Sequence, residues 1–133
     1  MVTEALTREI LPEEIAAFRR DGAILLSGMF RSEWIELLQR GLERHLQAPT
    51  ERARVWDRDH EGRTMFWDSM AWHGVPEYQR FVFESPAAEI AGRMLGSSKI
   101  NFFFDAVFVR SAGSQFETPW HQDEPYWLSL IHI

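Results

Sequence analysis

The sequence predicts an α+β fold, with helices first and an antiparallel sheet packed beside them. Apolar residues recur at helical spacing through residues 32–47 and again through 86–96. Over residues 99–110 they alternate with period two, the signature of a strand. The 133 residues are 45% hydrophobic and 26% charged, the composition of one globular domain or part of one, with room for a single core.

The elements follow in order. Leu11-Pro12-Glu13-Glu14 opens a first helix: proline suits the first turn, and the acids face the positive end of the helix dipole. Ile15 and Phe18 share one face, and Gly22 is the stop signal. The apolar run 23–26 predicts a short strand broken by Gly28. Ser32 is the expected cap of a second helix with the stripe Trp34, Leu37, Leu38, Gly41, Leu42 and Leu46, ended by Pro49. His45 lies beside that stripe and reads as a packed or half-exposed histidine. Residues 50–63 are polar and read as a loop, and 64–67 as a strand. Pro76 opens a helical turn with Tyr78, Phe81 and Val82. Pro86 starts a helix with the stripe Ala87, Ile90, Ala91, Met94 and Leu95, stopped by Gly96.

The strongest strand runs over residues 99–110. Ile100, Phe102, Phe104, Ala106 and Phe108 point to one side, and Asn101, Phe103, Asp105, Val107 and Val109 to the other. A loop over 111–119 leads to a further expected strand at 120–127.

Charge and composition exclude several function classes. Fourteen basic against twenty acidic residues give a net charge of −6, which argues against a nucleic-acid partner. The absence of cysteine removes thiolate catalysis, disulfides and cysteine zinc sites. No stretch resembles a signal peptide or a membrane span, so no membrane partner is expected and cytoplasm is the default compartment. Phosphate-binding P-loop, dinucleotide and serine-hydrolase motifs do not occur. Aromatics reach 14%, with ten Phe and six Trp, residues that fill cores and also line ligand pockets.

The segment with chemical content is Thr118-Pro119-Trp120-His121-Gln122-Asp123-Glu124-Pro125-Tyr126-Trp127. On a strand, His121 and Asp123 project to one side, roughly 7 Å apart at the backbone. One imidazole and one carboxylate there can fill two corners of a metal octahedron. A second histidine would complete the facial triad of a non-haem Fe(II) oxygenase. On the same strand Gln122 would face away.

His-x-Asp alone occurs widely, but its flanks narrow the reading. Residues 11–15 and 18–22, the Phe104–Val109 run, Arg110-Ser111-Ala112-Gly113, and Pro119-Trp120-His121-Gln122-Asp123 with Tyr126-Trp127 together resemble the phytanoyl-CoA dioxygenase family of Fe(II)- and 2-oxoglutarate-dependent oxygenases. The resemblance implies a double-stranded β-helix (jelly-roll) core behind N-terminal helices. It implies His121 and Asp123 as two metal ligands, Gln122 beside the cosubstrate, and hydroxylation of a small organic substrate by dioxygen. The cofactors would be Fe(II) and 2-oxoglutarate. Asp123 weighs against the halogenase branch, in which a small residue replaces the carboxylate.

Other assignments stay open. Arg110 is a candidate anchor for 2-oxoglutarate, since guanidinium grips carboxylate bidentately, and equally reads as a surface arginine. Trp120, Trp127 and Asp105 are candidates for the substrate pocket, or they simply pack. The family's second metal histidine and its 2-oxoglutarate arginine lie beyond the His-x-Asp strand. The expectation is therefore that residues 1–127 form the N-terminal part of one dioxygenase domain, inactive alone. Residues 128–133, with His132, are expected to be a non-native tail. Two rivals remain: a non-catalytic jelly-roll binder, and a calcium loop through Asp57, Asp59 and Glu61 with Gly62 and Asp68.

Overall fold

The computed structural model describes residues 4–56, 62–114 and 117–123. Four helices, α1 (Pro12–Asp21), α2 (Ser32–Gln47), α3 (Pro76–Glu84) and α4 (Ala87–Leu95), pack beside a three-stranded antiparallel sheet of order β1 (Arg54–Trp56), β2 (Met65–Ser69), β3 (Ala106–Arg110). This is an α+β arrangement. Among the described residues no helix is long and apolar enough to cross a membrane.

The predicted helices form, and for the predicted reasons. Pro12 and Pro76 occupy first turns, where their missing N–H costs nothing. Gly22 and Gly96 end α1 and α4 in the left-handed region, at φ 76° and 68°. At the start of α1, the Glu14 carboxylate accepts the Leu11 N–H and both arms of the Arg8 fork. The Arg8 hydrogen bond, with that from Leu11, pushes the Glu14 carboxyl down to about 2. Ser32 is the first residue of α2 rather than its cap; Arg31 holds the cap position and makes no side-chain capping bond.

The strands depart from expectation in four places. Residues 23–26 form no strand. Ile24 and Leu26 pack against the core of Ile10, Met29 and Met94, Leu25 is 86% exposed, and among the described residues no ladder partner lies alongside. The expected strand over 99–110 shortens to β3. Its partner β2 ends where Ser69 faces Ala106, and the next residue, Met70, turns into the left-handed region at φ 53° and starts a 3-10 turn, Ala71–His73. The expected loop over 50–63 contains β1, whose Arg54, Val55 and Trp56 pair with Trp67, Phe66 and Met65. The strand expected from Trp120 is absent as far as the described residues reach: 117–122 have no regular structure and Asp123 is a bend.

Register divides the sheet into two faces. Asp68 faces Val107 and Phe66 faces Val109 on the side of the helices. Val107 packs there against the second core of Ala71, Val75 and Tyr78. Trp67 faces Phe108 and Ser69 faces Ala106 on the opposite side. Gly41 lets α2 approach α3: a Cβ placed on it would lie 2.8 Å from Cβ of Glu77 and 2.9 Å from Cε1 of Tyr78.

Candidate functional site

The second face of the sheet is the floor of a cavity of about 660 Å³, lined by Trp67, Ser69, Phe104, Ala106, Phe108, His121, Gln122 and Asp123. Cross-strand register gives the floor its shape. The pair Trp67–Phe108 makes an aromatic half, and the pair Ser69–Ala106 a half of small side chains. Phe104, Ala106 and Phe108 share this face by simple alternation, as the sequence predicts.

His121 and Asp123 meet at the cavity without the strand expected to align them. Nε2 of His121 stands 3.2 Å from Oδ1 of Asp123. Nδ1 of His121 lies 2.8 Å from the Pro119 carbonyl, so Nδ1–H donates there and Nε2 is the ring nitrogen that faces the Asp123 carboxylate. The side chains are 58% and 75% exposed. Because 117–123 is irregular, Gln122 does not face away but lines the same cavity. An imidazole nitrogen and a carboxylate oxygen this close make, once the nitrogen gives up any proton to the metal, a donor pair suited to a first-row divalent metal. They therefore fit two positions of a facial triad. Among the described residues no third His, Cys, Asp or Glu joins them.

The other candidates fall elsewhere. Asp105 lies on the helix side of its segment, as alternation dictates, and does not line the cavity. Its Oδ2 accepts the Trp72 N–H at 3.2 Å, while buried Oδ1 has no partner among the described residues. Burial pushes the Asp105 carboxyl above the usual carboxylate range, against the opposing pull of backbone N–H donors. Trp120 is fully exposed and not in the cavity lining. Arg110 is exposed at the end of β3, with Nη2 3.3 Å from Oγ1 of Thr118, also outside the lining. Trp127, the tail 128–133 with His132, and the calcium candidates Asp57, Asp59 and Glu61 lie outside the described residues.

Asp68 is not available to a calcium loop. It is fully buried, and both its oxygens are taken. Oδ2 accepts from His45 Nε2 at 2.8 Å and from the Thr50 N–H at 2.9 Å. Oδ1 accepts the Thr50 hydroxyl at 2.6 Å and the Ser69 N–H at 2.8 Å. Burial works against ionisation of Asp68, but these bonds from Thr50, His45 and Ser69 outweigh it and hold the carboxyl below its ordinary value. The hydroxyl of Tyr78 stands 3.4 Å from His45 Nδ1, and burial pushes that phenol up to about 12.

Sequence reasoning did not single out Trp67 and Ser69 as floor residues. The signal was their alternation on a strand paired in register with Phe108 and Ala106.

No curated protein and no solved structure matches the chain significantly. The family profile described as Phytanoyl-CoA dioxygenase (PhyH) matches residues 18–131, a span that holds the helices from Phe18 onward, all three strands, and the His121–Asp123 pair with its aromatic floor. Over that span, the chain belongs to the phytanoyl-CoA dioxygenase family.

Proposed function

We propose that the protein is an Fe(II)- and 2-oxoglutarate-dependent dioxygenase acting on a small organic substrate, with His121 and Asp123 as two of its iron ligands. The observation that carries this is the 3.2 Å approach of His121 Nε2 to Asp123 Oδ1 at the cavity of Trp67, Phe104 and Phe108, in a chain of this family. Ferrous iron, when bound, would supply the dioxygen chemistry in which 2-oxoglutarate is oxidised to succinate and carbon dioxide and one oxygen atom enters a substrate C–H bond.

The chain's own residues do the rest. The Pro119 carbonyl fixes the His121 ring through Nδ1, so that Nε2 is the ring nitrogen that faces Asp123. Asp123 supplies negative charge that offsets part of the cation's. Gln122 offers an amide donor and acceptor at the cavity, suited to orienting a cosubstrate carboxylate. Trp67, Phe104 and Phe108 give the substrate an apolar surface and exclude water from one side of it. Two ligands hold a metal weakly, and among the described residues no third His, Cys, Asp or Glu joins them.

Two measurements test this. Titration of the chain with Co(II), a spectroscopic stand-in for Fe(II), is expected to give visible absorption bands that His121→Ala and Asp123→Ala abolish. Succinate release from 2-oxoglutarate, measured on the whole protein, is expected to need Fe(II). Binding without succinate would instead identify a non-catalytic binder on the same scaffold, and bands that survive both substitutions would sink the ligand assignment.

A further inference from the structure

The start of α2 and the middle of α3 line a second cavity, about 350 Å³, that shares no residue with the one at His121. Arg31, Arg40 and Arg80 line it against Glu4 and Glu33. The lining carries three guanidiniums against two carboxylates, a margin of one positive charge in a chain of net charge −6. One anion is already seated there, the chain's own Glu4. Its Oε2 accepts the Trp34 indole N–H at 2.7 Å, and its Oε1 lies 3.0 Å from Nε of Arg31.

The receptor side is built rather than incidental. Trp34 is only 6% exposed, so its N–H is shielded from bulk water and requires an acceptor. The guanidinium of Arg80 is stacked over the Trp34 ring, 5.7 Å from its centroid, and tied to Glu84 at 3.0 Å. Arg40 has no hydrogen-bonded or ion-paired partner among the described residues, and its field reaches Glu77. Glu4 thus satisfies the indole and Arg31, and among the described residues no carboxylate is hydrogen-bonded to the Arg40 guanidinium. Its main chain is also pinned, its N–H donating to the Glu84 carbonyl at 3.0 Å.

We propose that this cavity is an anion site for the phosphate or carboxylate group of a small molecule, and that Glu4 is the internal ligand the incoming anion displaces. Such a group accepts the same Trp34 and Arg31 donors. Arg40 adds a further positive charge, and the bidentate geometry of guanidinium suits either anion. Displacement frees the Glu4 side chain, while its main chain stays held by the Glu84 carbonyl.

The test is an NMR titration of the full chain, following the Trp34 indole N–H, assigned by its loss in Trp34→Phe. Sodium phosphate and sodium acetate are added separately against sodium chloride at matched ionic strength. The Trp34 signal is expected to move with the site's anion and not with chloride. Glu4→Gln is expected to tighten binding roughly five-fold, since it removes the competing charge. The double variant Arg31→Gln/Arg40→Gln, at two exposed positions, is expected to abolish the response. Movement with phosphate alone assigns a phosphoryl ligand, and comparable movement with acetate assigns a carboxylate. A Trp34 signal that stays still at tens of millimolar of both anions, in the natural chain and in Glu4→Gln alike, would overturn the proposal. So would an undiminished response in the double variant.

Discussion

His45 Nε2 lies 2.8 Å from Oδ2 of Asp68, with both side chains fully buried. The bond joins α2 to β2 and fixes the helix side of a strand whose other side presents Trp67 and Ser69 to the cavity. Removing His45 takes one donor from a fully buried carboxylate and empties a fully buried site. His45→Ala is therefore expected to cost about 3 kcal/mol, the low end for such breaks because Thr50 and Ser69 continue to donate to Asp68. Urea unfolding of the natural and substituted chains measures it, and a loss below about 1 kcal/mol would show the pair to be ornamental.

Acid stability should depend on two carboxyls, one buried and one half-buried, with opposite signs. Asp68 is held below its ordinary value in the fold, so its contribution is present above the unfolded carboxylate pKa and lost as pH falls through the folded one. Asp105 is raised, so its contribution is full below the unfolded value, near 4 as a rough reference, and lost as pH rises through the folded value. Asp68→Asn should flatten the stability profile on the acid side of that reference, and Asp105→Asn on its alkaline side. Denaturation midpoints collected from about pH 2.5 to 7 resolve the two slopes; identical profiles for both variants would contradict the assignment.

Gly41→Ala offers a test of the α2–α3 contact. Alanine gains about 1 kcal/mol of helix propensity over glycine, but its Cβ falls 2.8 Å from Cβ of Glu77 and 2.9 Å from the Tyr78 ring. One of those atoms belongs to the base of a side chain and the other to a ring packed on His45, so neither yields easily. Overpacking of this kind costs about 1–3 kcal/mol, and a net loss of about 1 kcal/mol is expected in thermal unfolding. A stabilised variant would mean the helices separate freely.

How far the sequence reveals this molecule depends on whether the deciding contact is local. Pro12, Gly22, Pro76 and Gly96 mark helix ends correctly because each acts through its own φ or its own N–H. The stripe on α2 was displaced: Trp34, Leu37, Gly41 and His45 are buried, while Leu46 is 42% exposed. Hydrophobicity alone ranks Leu46 above His45. Only the carboxylate of Asp68, twenty-three positions away, makes burial of an imidazole favourable.

Strands show the same limit. Alternation identified the cavity side of Phe104, Ala106 and Phe108, but not over 100–103, where Ile100, Asn101, Phe102 and Phe103 line one other cavity together. Strand length was set by the partner instead, since β2 ends at Ser69 and Met70 turns away. At the candidate site, His121 and Asp123 were legible as residue types at a meaningful spacing. Their convergence arises in an irregular stretch over 117–123, and that irregularity brings Gln122 to the same cavity.

Calcium should have no purchase on Asp68. A ligand at the last position of a calcium loop must offer free carboxylate oxygens, whereas both oxygens of Asp68 already accept protein donors. Calorimetry with millimolar calcium is expected to give no binding heat, and Asp68→Asn should leave that baseline unchanged. Heat that disappears in the variant would revive the loop.

His121 and Asp123 should separate function from stability, because their exposure leaves the fold little invested in them. At 58% and 75% exposed, with one hydrogen bond from His121 to a neighbouring carbonyl, each can be replaced by alanine at a stability cost within about 0.5 kcal/mol. Divalent-metal affinity should fall at least about ten-fold in either variant, since each removes half of the donor pair. Trp67→Ala is expected to behave in the opposite way. It removes a large aromatic surface paired with Phe108 across the sheet, so it should weaken the fold by about 2 kcal/mol or more while leaving both metal donors in place. Parallel Co(II) titrations and urea melts of the three variants give the contrast directly. If His121→Ala unfolds the chain as readily as Trp67→Ala does, the imidazole is a structural group, and its place at the cavity edge says nothing about metal.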